Sequence, residues 1–123
     1  MDMQPKFSKK QSKELRRLAD AAFDRELTRA LEGLEAQFRS WRAGEISPHD
    51  LNHEIHKFHD GVSHDLWKMY ANLEPHFAVA RAIAKGLTKE TELSPEVRSQ
   101  LAPVIVFMRE DRPKSESEIK KQE

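Results

Sequence analysis

Five of the chain's six histidines fall between Ser47 and Tyr70, in the stretch SPHDLNHEIHKFHDGVSHDLWKMY. His49, His53, His56 and Asp60 follow at spacings of four, three and four, which return to one side of an α-helix. Imidazole and carboxylate donors of this kind suit zinc or another divalent transition metal. Four donors on one straight helix cannot surround a tetrahedral ion, so a metal site here requires a second helix or a second copy of the chain. Metal-assisted hydrolysis would call for HExxH, two histidines one turn apart with a glutamate base between them. His49-Asp50-Leu51-Asn52-His53 has that spacing but a shorter acid, and His53-Glu54-Ile55-His56 is one residue too short. No catalytic residue and no cofactor is therefore assigned. The plainer reading of the same residues is a solvated polar face.

Trp67, His64 and Tyr70 carry aromatic surface around that polar side. Mixtures of this type are typical of protein contacts, where a ring supplies area and its polar tip finds a partner. The first expectation is that another helix of the same chain packs over Trp67; a homodimer contact is the second. A third group is cationic. Lys9, Lys10, Lys13, Arg16 and Arg17 crowd the start of the first long helix, with Lys6 just before it. They suit nucleic acid phosphates or an acidic protein partner, and Phe7 lies close enough to stack on a base. No helix-turn-helix signature accompanies them, and the glycines (Gly33, Gly44, Gly61, Gly86) form no phosphate loop.

The elements that must position these residues are all helical by pattern. From about Ser8 to Ala43 there is no proline, and Leu15, Leu18, Ala22, Phe23, Leu27, Leu34, Phe38 and Trp41 recur mostly at helical spacing. A helix of that length is roughly 50 Å long, so one end is expected to project or to pair with another chain. The cation-rich N-terminal end, opposed to the macrodipole, is the better candidate and should fray when alone. Gly44 closes the helix, and Glu45-Ile46 is a connection short enough for an antiparallel hairpin.

Ser47, Pro48 and Asp50 form the clearest helix start in the chain: an N-cap, a first-position proline and the far side of a capping box, with Ile46 and Leu51 as a hydrophobic staple. The second helix should run to about Ala71, with Leu51, Ile55, Phe58, Val62, Leu66, Met69 and Leu73 facing the core and Gly61 weakening its middle. Pro75 opens a third helix striped by Leu73, Phe77, Ala80, Ala84 and Leu87, which Gly86 ends. Ser94-Pro95 opens a fourth, where Pro103 removes one hydrogen bond and should kink it. The run Val104 to Phe107 has strand character, but the chain offers it no second strand.

At 123 residues the chain has the length of one domain, and its 21 cationic and 21 acidic side chains leave no global field to draw it to a polyanion. It has no cysteine, and no apolar run approaches the ~20 residues of a membrane span. No secretory pattern is present at MDMQPKFSKK, which makes a cytoplasmic location the default expectation. The expected organisation is a flexible arm at 1–7, a single helical domain at 8–110 and a disordered charged tail at 111–123. Its fold class is all-α: an antiparallel up-and-down bundle of about four helices, the first long and the last proline-kinked. The expected function is a small non-catalytic interaction or regulatory module, self-associating as a homodimer or joining a protein partner, without a membrane. The alternatives are a metal-binding sensor or metal-dependent enzyme, and a nucleic-acid binder using the basic helix end.

Overall fold

The computed structural model describes residues 6–110, and every regular element among them is helical. Helix α1 spans Lys9–Arg42 and α2 spans Pro48–Phe58; a π-helical turn, His59–Ser63, leads directly into α3, His64–Asn72. Helices α4, Pro75–Ala84, and α5, Pro95–Glu110, follow, with a short 3-10 turn at Glu90–Glu92 between them. The backbone stays helical through Phe58 and His64, so α2, the π turn and α3 make one rod. The result is an all-α assembly of four rods. The expected tail at 111–123 and the first five residues lie outside the described residues.

Helix ends follow from local chemistry. Ser47 Oγ accepts from the Asp50 N–H at 3.0 Å while Asp50 Oδ2 accepts from the Ser47 N–H at 3.1 Å, a complete capping box. Ser8 and Gln11 form the same reciprocal pair at the head of α1. At Gly44 and Gly86 the backbone takes φ of 78° and 79°, and both helices close with paired bonds back into their last turn. The Glu45 N–H reaches the Ser40 carbonyl at 2.9 Å and the Leu87 N–H reaches the Ala82 carbonyl at 2.8 Å. Glycine is required there because a Cβ resists the left-handed region.

The main core joins Leu15 and Leu18 of α1 to Val79, Ala80 and Ile83 of α4 and to Leu93, Val97, Leu101 and Ile105 at and within α5. Each fully buried leucine or valine contributes about 1.5–3 kcal/mol relative to exposure. Helix α4 lies at the centre: His76, Ala78, Val79, Ala80, Ala82 and Ile83 are all buried. The one-sided stripe expected for this helix is thus incomplete, because its alanines let α1 approach on one side and α5 on the other. Phe23 stacks on Tyr70 while Gly33 lies beside Val62, so residue numbers fall along α1 as they rise along α2 and α3. Phe7 meets His76 and Glu26 meets Arg81, so α4 runs back in the direction of α1.

Two expectations need correction. The cationic N-terminal end of α1 does not project. It is the packed end, with Phe7 set against the core and the Lys6 carbonyl accepting from Gln100 at 3.5 Å, so the docked chain begins earlier than Ser8. The less covered end is the C-terminal one, where α1 meets only the α2 rod and Leu31 and Trp41 remain 47% and 38% exposed. The stripe drawn along the second rod also breaks. Leu51 and Leu66 are buried, but Val62 is 43% exposed because the π turn around Gly61 shifts the angular register by an extra residue. Helix α5 continues through Pro103 to Glu110, so Val104 to Phe107 are helical, as the lack of a partner strand led one to expect.

Candidate functional site

His49, His53, His56 and Asp60 are exposed along the outer side of the second rod. Asp60 turns to its neighbour, with His59 Nδ1 3.1 Å from Asp60 Oδ1. Among the described residues no group of three or more histidine, aspartate or glutamate side chains gathers around one point. Any zinc or related ion on this face would need donors from beyond the described residues of this chain.

Tyr70 leaves the aromatic trio for the interior. Its hydroxyl donates to Glu26 Oε1 at 2.8 Å, and its ring stacks on Phe23 at 4.6 Å with planes only 1° apart. Glu26 also receives both guanidinium nitrogens of Arg81, at 2.8 and 3.1 Å, and Lys85 approaches it at 3.5 Å. Burial alone would raise the Glu26 pKa. Hydrogen bonds from Arg81 and Tyr70, with the charges of Arg81 and Lys85, outweigh that and bring it to about 2. Burial and the Glu26 contact push the Tyr70 phenol upward, and the Arg81 guanidinium is raised chiefly by its hydrogen bond to Glu26. One carboxylate therefore ties α1, α3 and α4 together. A second brace runs from Arg25 to the Leu87 carbonyl at 3.0 Å and to Glu92 at 2.8 and 3.2 Å, holding the connector before α5. Sequence reasoning passed over both, although Glu26 stands on the inner side of α1 between Ala22, Phe23 and Ala30, where an unpaired acid would be costly.

Trp67 remains outside. Contrary to the first expectation, no helix among the described residues covers it: it is 60% exposed, with His64, also exposed, tilted against it at 5.9 Å. It lines an open groove of about 270 Å³ together with Arg16, Ala19, Asp20, Phe23 and Leu73.

Lys9, Lys10, Lys13, Arg16 and Arg17 are all exposed, and none forms an ion pair among the described residues. At about 100° per residue they occupy an arc of about 120°, opposite the buried Leu15 and Leu18. Glu14, within the same stretch of α1, is occupied by the Ser94 N–H at 2.9 Å, and the exposed Asp20 follows on the cationic face one turn after Arg16. Like charges at Lys9/Lys13 and Lys13/Arg17 each oppose the helix by about 0.2–0.5 kcal/mol, and no acid stands in the first turn to favour the dipole.

Along the distal half of α1 lies an open depression of about 650 Å³ lined by Leu31, Leu34, Glu35, Phe38, Arg39 and Arg42. Leu27, Leu31, Leu34, Phe38 and Trp41 recur at intervals of four, three, four and three, the seam spacing of a coiled coil. No family model matches the chain, and no curated protein and no solved structure shows detectable similarity to it. No helix among the described residues is long and apolar enough to cross a membrane.

Proposed function

We propose that the chain is a non-catalytic helical interaction module that self-associates through the distal half of α1. The observation that carries this reading is the half-covered seam from Leu27 to Trp41. It packs on the second rod along one side and leaves Leu31 and Trp41 partly in solvent. An apolar seam with coiled-coil spacing is stabilised by a matching seam.

A second copy of the chain matches it best in antiparallel orientation. A two-fold axis near Ala36 sets Leu31 of one copy opposite Trp41 of the other and Leu34 opposite Phe38, alternating large and branched side chains. It also carries Glu35 towards Arg39 of the other copy, whereas a parallel pairing sets like charge beside like. Within one copy the Arg39–Glu35 pair is exposed at 3.0 Å and costs little to exchange.

Sedimentation equilibrium of the full chain tests the proposal. A concentration-dependent dimer is expected, and Leu31→Glu, at an exposed position that leaves the core intact, should weaken it at least about tenfold by placing charge in the seam. A monomer at all concentrations would overturn it. Metal analysis of the same samples separates this reading from the metal-dependent one, which requires the dimer to carry stoichiometric ion and to dissociate with chelator.

A further inference from the structure

The cationic face of α1 and the exposed indole of α3, distant in sequence, meet in space. Arg16 ends the run of side chains that begins at Lys9, and Arg16 and Trp67 line the same open groove. We propose that this chain binds single-stranded nucleic acid, with phosphates along Lys9, Lys10, Lys13, Arg16 and Arg17 and a base stacked on Trp67.

The chemistry divides along the groove. From Lys9 to Arg17 the solvent face is cationic for about 12 Å at 1.5 Å per residue, long enough to follow several phosphates. These cations are not drawn into ion pairs among the described residues, unlike Arg25, Arg39, Lys57, Arg81, Lys85 and Arg109. Beyond Arg16 the lining turns acidic at Asp20 and apolar at Ala19, Phe23 and Leu73. A phosphate is repelled there, while the flat apolar face of a base is accommodated. Trp67, 60% exposed, presents its indole to that space.

Other polyanions use only part of this arrangement. A duplex keeps its bases stacked, which leaves Trp67 without a role. An anionic bilayer requires apolar side chains interleaved with the cations, but Leu15, the large aliphatic residue within this run, is buried at 2% exposure. An acidic polypeptide satisfies the cations and places no demand for stacking.

Anisotropy of a labelled oligothymidylate of about a dozen nucleotides, titrated with the full chain at several salt concentrations, decides the matter. Binding should weaken with salt with a log–log slope of about −3 to −4 for five phosphate contacts. Lys9→Gln, Lys10→Gln and Lys13→Gln combined should reduce that slope by about 2. Trp67→Ala should lower affinity about tenfold and leave the slope unchanged. With Trp41→Phe removing the other indole, bound oligonucleotide should quench the remaining fluorescence. All these substituted residues are exposed, and circular dichroism checks that the helices persist. Oligouridylate in the same titration sorts RNA from DNA, and tight binding of either upholds the proposal. Absence of binding at low salt overturns it. So does equal affinity for duplex, polyglutamate and single strand with no effect of Trp67→Ala, which would mark a nonspecific cationic surface.

Discussion

Glu26 shows how much one side chain does in this chain. It is the common acceptor for a tyrosine, an arginine and a lysine from two other helices, and its side chain is only 15% exposed. Its folded pKa of about 2 lies below the ordinary 4.5, so its contribution to stability is complete above pH 4.5 and is lost as pH falls towards 2. Urea unfolding of wild type and Glu26→Gln should differ by on the order of 3 kcal/mol at pH 6 and converge as pH approaches 2. Arg81→Met should be similarly costly at neutral pH, because it removes the bidentate partner and leaves the acid beneath Tyr70. A difference between wild type and Glu26→Gln that stays constant with pH would sink this account. Phe7 offers a second residue-scale check. Its ring packs 5.4 Å from the His76 ring and against the core, so Phe7→Ala should cost about 2 kcal/mol in the same assay. An arm free in solution would cost nothing.

At the scale of the element, the glycines separate by backbone. Gly44 sits at φ 78°, where alanine is strained, whereas Gly61 lies within the π turn with no heavy atom within 4 Å of an added Cβ. Gly61→Ala should therefore raise stability by about 0.5–1 kcal/mol, and Gly44→Ala should lower it by about 1 kcal/mol. Thermal unfolding of the two variants gives the signs directly. The caps and glycine stops were legible in the sequence because each depends on residues no more than about six positions apart. Ser47 with Asp50, Ser94 with Pro95, and Gly44 all act within that range. The π turn was not legible, because His59 to Ser63 reads like ordinary helix and a single extra residue has no local marker. The Glu26–Arg81 pair was also out of reach: the partners are 55 residues apart, and only the fold selects one cation from the many available.

For the whole molecule, the packing is unevenly distributed along α1. Its proximal half is enclosed by α4 and α5, and its distal half leans on one rod. Amide hydrogen exchange should follow that division, with Leu15 to Ala22 protected to the global unfolding free energy and Leu34 to Arg42 exchanging through smaller openings. Uniform protection along the helix would contradict it. Concentrations that populate the proposed dimer should slow exchange at the distal end alone. The four-rod, all-α architecture could be anticipated from periodicity, since each long segment had an apolar side. Which end of α1 would be covered could not, because the cations at its start suggest repulsion while the decisive burial comes from Val79, Ile83, Val97 and Leu101, far along the chain.

That distribution also bears on how the chain is made. The distal half of α1 finds its partner in the next segment to be synthesised, whereas Glu14 waits for Ser94, 80 residues later, and Lys6 for Gln100, 94 residues later. Leu15 and Leu18 therefore leave the ribosome long before the helices that enclose them. The hairpin of α1 with α2 can close early, but the core closes only once α5 is free. Until then the nascent chain exposes Leu15 and Leu18 beside Lys9, Lys10, Lys13, Arg16 and Arg17, whose like charge opposes the association of neighbouring nascent chains through that surface.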